Sequence, residues 1–196
     1  MIRRFLSELK QDRRVIEERI IEEKESLYKF ERLKNLDKLV IFLVVGEDRR
    51  FFKHSGFDII AICRAIRNRI FYNKKEGAST IEQQLVRVLT NQYDKTIRRK
   101  LKEIILASTL KKYLSKKNIA LLYLSLAYYG TEKQGLEQTL KSFNLKLDEE
   151  IRNDVCAGII SRLKYPEPKS HLSSKIELIE KRKIHILKLY KNGEYN

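Results

Sequence analysis

The segment Gly46–Gly56, GEDRRFFKHSG, follows directly on the apolar run LVIFLVV of Leu39–Val45. A solvated face has no use for Phe51 and Phe52, and a core has no use for Glu47, Asp48, Arg49 and Arg50. A carboxylate pair set between a buried segment and a basic, aromatic stretch is the composition of a site. Residues 36–53 read as a buried helix or an extended segment leading into that pair. If helix continues through it, Glu47, Phe51 and His54 fall on one stripe at i, i+4 and i+7. An acid backed by an aromatic ring and bordered by basic groups can be tuned for proton transfer by burial and charge. The same acid can equally be one half of a salt bridge with Arg50 or another neighbour.

Outward from this stretch the chain reads as helix. Residues 2–35 carry an imperfect apolar stripe among many charges, which fits a long and interrupted amphipathic helix packed on the body or lying on a membrane surface. Residues 58–72 predict a helix, and Asn73–Gly77 a polar break. The next helix runs from Ser79 to about Thr90, with Ser79 and Glu82 spaced as a capping box. Asp94–Tyr113 predicts an amphipathic helix whose inward face is Ile97, Leu101, Ile104, Ile105 and Leu110. Ser115 is placed to cap a helix ending near Gly130; it is apolar nearly all round and so is either deeply buried or faces lipid. Further helices are expected over 132–144, 148–163 and 173–191, with Pro166 and Pro168 marking a loop. The class is all-α, with only short stretches open to strand.

The composition narrows the partners. The chain has 196 residues, 42 Lys and Arg against 26 Asp and Glu, and a formal net charge of +16. That length suits one domain, or one domain with an appendage. Such a surface attracts phosphate, whether on nucleic acid, on an anionic lipid or on a diphosphate substrate. No aromatic platform or groove-reading helix is apparent, so nucleic acid is not expected. Cys63 and Cys156 lie far apart without metal-ligand spacing and are expected as two buried thiols. No apolar run approaches the roughly 20 residues of a membrane span, and no signal peptide is expected.

Two more segments carry chemistry. In GASTIEQQLVR, Gly77–Arg87, small residues precede a helix start where backbone N–H groups can meet an anion, and Gln83 and Arg87 share a face. In RRKLKEIILA, Arg98–Ala107, Arg99 and Glu103 stand at i, i+4. Each alone reads just as well as a capped helix or a surface ion pair.

Taken together, the three segments resemble in order and spacing the motifs of glycosyltransferase family 51, the peptidoglycan glycosyltransferase domain of penicillin-binding proteins and monofunctional transglycosylases. Glu47, Asp48, Phe51, His54 and Gly56 match E-D-x-x-F-x-x-H-x-G. Gly77, Ala78, Ser79, Thr80, Ile81, Gln83, Gln84, Leu85 and Arg87 match G-[GA]-S-T-I-x-Q-Q-L-x-[KR]. Arg99, Lys100, Glu103, Ala107 and Leu110 match R-K-x-x-E-x-x-x-A-x-x-L. A fourth motif is partly met by Lys116, Ile119, Tyr123, Leu124 and Gly130, and a fifth is loosely echoed by Arg182, Ile186, Leu187 and Tyr190.

The resemblance implies a lysozyme-like, two-lobed fold with a larger catalytic lobe and a smaller apolar lobe facing the membrane. It divides the chain into an amphipathic N-terminal helical extension, 1–39, and a transferase domain, 40–196. It implies a substrate, lipid II, and a growing lipid-linked glycan as partners, with peripheral contact to the extracytoplasmic face of the bacterial cytoplasmic membrane and to other cell-wall synthesis proteins. Glu47 would be the base on the acceptor hydroxyl, and Glu103 the second acid, orienting Arg99 or a divalent cation, Mg2+ or Mn2+. Asp48, Phe51, His54, Ser79, Thr80, Gln83, Gln84, Arg87, Arg99 and Lys100 would bind substrate. The sequence departs from the pattern at Leu121 and Ser125, where the fourth motif has glutamate and asparagine, and at Glu82, where the second has threonine or serine. These departures permit a peripherally docking polymerase, or a divergent relative with reduced activity or a non-catalytic role in binding lipid II or a membrane; a lytic enzyme on finished glycan is a further alternative, since one glutamate beside a sugar cleft can also serve as the acid of hydrolysis.

Overall fold

The computed structural model describes residues 2–74, 76–169 and 173–193. Ten α-helices, two 3-10 turns and one two-stranded ribbon occur among them, so the expected all-α class holds. The chain forms two compact units. One contains the residues up to Glu22 together with Arg50–Ile119; the other contains Glu23–Arg49 and the chain from Ala120 onward.

In the first unit, α1 (Ile2–Glu22) packs on α5 (Ile81–Thr90) and α6 (Ile97–Thr109). The expected N-terminal helix is therefore broken, ending at Glu22 before α2 (Lys24–Glu31) begins. Ile16 is fully buried, and Asp12 is buried with it because Lys102 donates to its Oδ2 at 2.7 Å and Gln92 to its Oδ1 at 2.8 Å. This turns much of the expected face of α6 outward, although Leu110 just past its end is fully buried and Ile104 is half-buried. Ile97, Leu101 and Ile105 are 82%, 51% and 40% exposed, while Lys102, Glu103, Leu106 and Ala107 are buried. A polar side chain goes inside when a partner of opposite charge waits there, and Asp12 is that partner for Lys102. The helix itself is shorter than expected: Thr96 caps it, accepting from Arg99 N, and a 3-10 turn over Leu110–Lys112 follows. Helix α4 (Ile59–Tyr72) starts at Asp58, whose side chain accepts from Ala61 N, and it buries none of its residues.

In the second unit, α3 (Asn35–Glu47) is apolar all round because it is enclosed. Leu36, Leu39, Val40, Phe42, Leu43, Val44 and Val45 are buried, and Phe42 stacks on Tyr190 with ring centroids 4.2 Å apart. Burying each such side chain contributes about 1.5–3 kcal/mol. The helix α3 packs on α9 (Asn153–Lys164) and α10 (Ser173–Lys191). Gly46 sits at this contact: a Cβ there would lie 2.8 Å from Ile160 Cγ2, so a larger residue would push α9 away. The segment Lys116–Leu126, α7, has its first turn, to Ile119, in the first unit and the rest in the second; it takes its cap from Ser115, whose Oγ accepts from Asn118 N. It is buried rather than lipid-facing, with Leu121 1% exposed. It also stops earlier than expected. Tyr128–Gly130 (β1) pairs antiparallel with Lys133–Gln134 (β2), and α8 covers only Gly135–Lys141. Residues 148–152 are not helical, and α9 starts at Asn153.

Both cysteines are free, but only Cys156 is buried. Cys63 lies on the outward-facing α4, so the expectation of two buried thiols fails there. Burial pushes the Cys156 thiol up to about 12, which keeps it protonated and unreactive at ordinary pH. Iodoacetamide at pH 8 is expected to label Cys63 alone in the folded protein and both residues in urea. Equal labelling of both under native conditions would contradict this packing.

Candidate active site

The first motif does not continue as helix. Helix α3 ends at Glu47, Asp48 is extended at φ −156°, and a 3-10 turn covers Phe51–Lys53. Glu47, Phe51 and His54 therefore do not share a helical stripe. Glu47 belongs to the second unit and is largely buried, its side chain 12% exposed. Its partner is not Arg50. Arg182 of α10 donates from Nη2 to Glu47 Oε1 at 2.6 Å and to the Gly46 carbonyl at 2.8 Å. The loose echo of the fifth motif thus contains the residue that orients the candidate base, through a contact 135 positions away in sequence. Asp48 is buried in the same unit. Arg50, in the first unit, donates instead to Asp58 at 2.9 Å.

Within the first unit three motifs converge on Gly56. Its φ is +95°, and a Cβ would lie 2.5 Å from Ser108 N on α6, so glycine is required both by conformation and by space. Its carbonyl accepts from Thr80 Oγ1 at 2.8 Å and from Gln83 Nε2 at 3.4 Å. Thr80, not Ser79, is the cap of α5: its hydroxyl oxygen also accepts from Gln83 N. The helix begins one residue later than expected, which frees Ser79 to accept from Lys100 Nζ at 2.8 Å and leaves Glu82 outside a capping box. Gln83 is buried and also accepts from Lys100, while Gln84 is half-buried.

The centre of this arrangement is Glu103, whose side chain is 3% exposed. Arg87 grips it with both ends of its guanidinium, at 2.8 and 3.3 Å. Arg99 donates to the same carboxylate and to the Asp94 carbonyl, and Lys100 Nζ lies 3.6 Å from Glu103 Oε2. Burial pulls the Lys100 ammonium below its ordinary value; Glu103 opposes that shift, and Arg87 and Arg99 add to it. Three cations meet one carboxylate, a formal surplus of two positive charges. Arg98, Arg99 and Lys100 also occupy the start of α6, which has no acid in its first turn. Cations there oppose the helix dipole; Glu103 offsets Arg99 and Lys100, and Glu8 lies 3.0 Å from Arg98.

Phe51 is fully buried, and Phe52 is exposed. The Lys116 ammonium sits 4.2 Å from the Phe51 ring centre and donates to the Phe51 carbonyl and to Glu82. His54 Nδ1 lies 3.8 Å from the same Glu82 oxygen. In the sequence Glu82 stands out only as a departure from the second motif and Arg182 only as part of a loose fifth; their partners, Lys116 and Glu47, come from distant segments.

His54 and Asp58 each offer a ligand atom within 4.8 Å of the other. Asp58, however, accepts from Arg50 on one oxygen and from Ala61 N on the other. Glu103 is surrounded by two arginines and a lysine. Both carboxylates already carry a guanidinium, so a divalent cation at either would share the acid with arginine.

Comparison with known proteins agrees with this geometry. A family model described as Transglycosylase matches residues 12–191. Penicillin-binding protein 2a of Streptococcus pneumoniae serotype 2 is 36% identical over 141 residues, 72% of this chain and 18% of that protein. Penicillin-binding protein 1A of Escherichia coli is 29% identical over 157 residues, 80% of this chain and 18% of that protein. Penicillin-binding protein 1A of Rickettsia felis is 33% identical over 134 residues, 65% and 17% respectively. This chain thus spans less than a fifth of the length of these relatives. With the match covering nearly its whole length and a mostly helical structure consistent with the lysozyme-like fold, the chain belongs to the transglycosylase family.

Proposed function

We propose that this chain is a peptidoglycan glycosyltransferase of cell-wall synthesis, polymerising lipid II into β-1,4 glycan strands and releasing undecaprenyl pyrophosphate. The observation that carries the reading is the surplus of positive charge around Glu103. A diphosphate leaving group gains negative charge as its bond to the sugar breaks, and cations already in place stabilise that charge without reorganising. Arg87, Arg99 and Lys100 take this role, with Ser79 and Gln83 holding Lys100. Glu103 keeps the three cations together despite their mutual repulsion. Gln84 and His54 add substrate contacts, whereas Thr80 and Phe51, expected to bind substrate, are buried and support these groups from behind, as the buried Asp48 does for its neighbour Glu47.

Glu47 acts as the base. The acceptor 4-hydroxyl oxygen attacks the donor's anomeric carbon, its proton passes to Glu47, and the bond to the diphosphate oxygen breaks with its electron pair leaving on the diphosphate. Attack from the face opposite the leaving group inverts the α-linkage to β. Arg182 fixes the orientation of the carboxylate. No step passes through a divalent cation, because the charge that a metal would neutralise is met by arginine and lysine.

In this reading residues 40–196 form the transferase domain and 1–39 a helical extension. The protein works peripherally on the extracytoplasmic face of the membrane, where its substrate and the growing glycan are anchored. No helix among the described residues is long and apolar enough to cross a membrane. Support for surface contact comes from α4, where Ile59, Ile60, Ile66, Ile70, Phe71 and Tyr72 are all more than half exposed beside Arg64, Arg67 and Arg69. Apolar side chains flanked by arginine suit an anionic headgroup layer.

Purified protein with lipid II is expected to make glycan strands, and to do so in excess EDTA. Glu47→Gln is expected to lower the rate by about 10²–10⁴-fold, the usual contribution of a positioned general base, with an unchanged circular dichroism spectrum. Saturable lipid II binding without polymer would point to a binding module, and release of fragments from purified sacculi to a lytic enzyme.

Co-sedimentation tests the membrane contact. Vesicles containing phosphatidylglycerol are expected to retain the protein, and the Ile66→Asp/Phe71→Asp variant to bind about tenfold or more weakly, since each buried apolar side chain contributes about 1.5–3 kcal/mol. Equal binding by the variant would remove α4 from the contact.

A further inference from the structure

Glu82 is buried, its side chain 2% exposed, yet nothing in the proposed reaction uses it. It stands where the resembling family has threonine or serine. One of its oxygens, Oε1, receives the Lys116 ammonium and lies 3.8 Å from His54 Nδ1. The other, Oε2, has no hydrogen-bond partner. A buried carboxylate with an unsatisfied oxygen is a poor choice for stability, so its retention calls for a different account.

That account lies in what Lys116 touches. The ammonium reaches the Phe51 carbonyl at 2.5 Å and stands 4.2 Å from the centre of the Phe51 ring. Phe51 is the first residue of the 3-10 turn that leads to His54. Lys116 therefore ties the first residue of α7 to the turn of the first motif, and Glu82 supplies the countercharge that holds the ammonium there. A lysine side chain has three or four rotatable bonds and a strong preference for water; without a buried anion it would withdraw toward solvent.

We propose that Glu82 is a positioning residue for the Phe51–His54 turn, acting through Lys116. It anchors from α5 a turn whose backbone bonds include Lys53 N to the Arg50 carbonyl at 2.7 Å. His54 Nδ1 lies 3.8 Å from the same carboxylate. The activity arm of the test rests on the glycosyltransferase reading; the exchange arm does not.

Hydrogen exchange with mass spectrometry is measured on the full chain and on Glu82→Gln, together with lipid II polymerisation. Exchange in peptides spanning 50–56 is expected to rise about tenfold or more in the variant, while peptides of α3 and α9 keep their protection. The polymerisation kcat is expected to fall by about 10²-fold through misplacement of the turn, with KM changed far less. Because Glu82→Gln leaves the Lys116 charge without its partner, the Glu82→Gln/Lys116→Met variant is measured beside it. That variant removes both charges, is expected to fold, and is expected to show the same loosening of 50–56. Unchanged exchange over 50–56 in a folded variant overturns the proposal, whatever the activity. Raised exchange in a protein that never polymerises lipid II keeps the clamp and rejects the glycosyltransferase reading instead.

Discussion

A carboxylate taken out of water has to be met by positive charge, and Glu103 shows how much of this chain follows from that requirement. Arg87 reaches it from α5, and Arg99 and Lys100 reach it from its own helix. The pairing does two things at once. It joins α5 to α6, so the second and third motifs become one surface. It also holds three like charges close enough to act on a single anion, which none of them would tolerate without the carboxylate between them. Removing the acid would scatter the cations, and removing a cation would strand the acid.

The same rule recurs at each buried acid. Asp12 meets Lys102, Glu82 meets Lys116 and Glu47 meets Arg182. Ion pairs of this kind add little net stability over a well-packed apolar contact. Their value lies in fixing direction: a guanidinium on a carboxylate admits few geometries. Glu47 illustrates this, since Arg182 also binds the Gly46 carbonyl and so holds the last turn of α3 along with the side chain.

Much of this was legible in the sequence where local rules govern. The helical class, the Asp58 helix start, the Ser115 cap and the span of α10 all follow from periodicity and capping chemistry, and the three intact motifs marked every residue gathered around Glu103. What escaped was non-local. The reading of α6 assumed that Ile97, Leu101 and Ile105 face inward, because apolar residues usually do. The opposite face is buried instead, because α1 brings Asp12 to Lys102, and nothing within α6 reports that. The Ser79 cap was misplaced by one residue because Thr80 has a second attraction, the Gly56 carbonyl, in a different segment. Arg182 was visible only as a weak echo because its role depends on a contact across most of the chain. The continuous helix through Glu47 and His54 failed since the backbone turns at Asp48 immediately after the acid.

The basic start of α6 links these points. Arg98, Arg99, Lys100 and Lys102 crowd the N-terminal half of one helix, against both the dipole and one another. Glu103 answers the charges on one side. On the other, α1 brings Glu8 to 3.0 Å from Arg98 and 3.9 Å from Lys102, and Asp12 to 2.7 Å from Lys102. The N-terminal helix is therefore more than an appendage to the first unit: its acids offset the mutual repulsion of the cations along α6. The apolar stripe left outside on α6 follows from the same packing, because a helix with one face turned to α5 and another to α1 has only its remaining face for Ile97, Leu101 and Ile105.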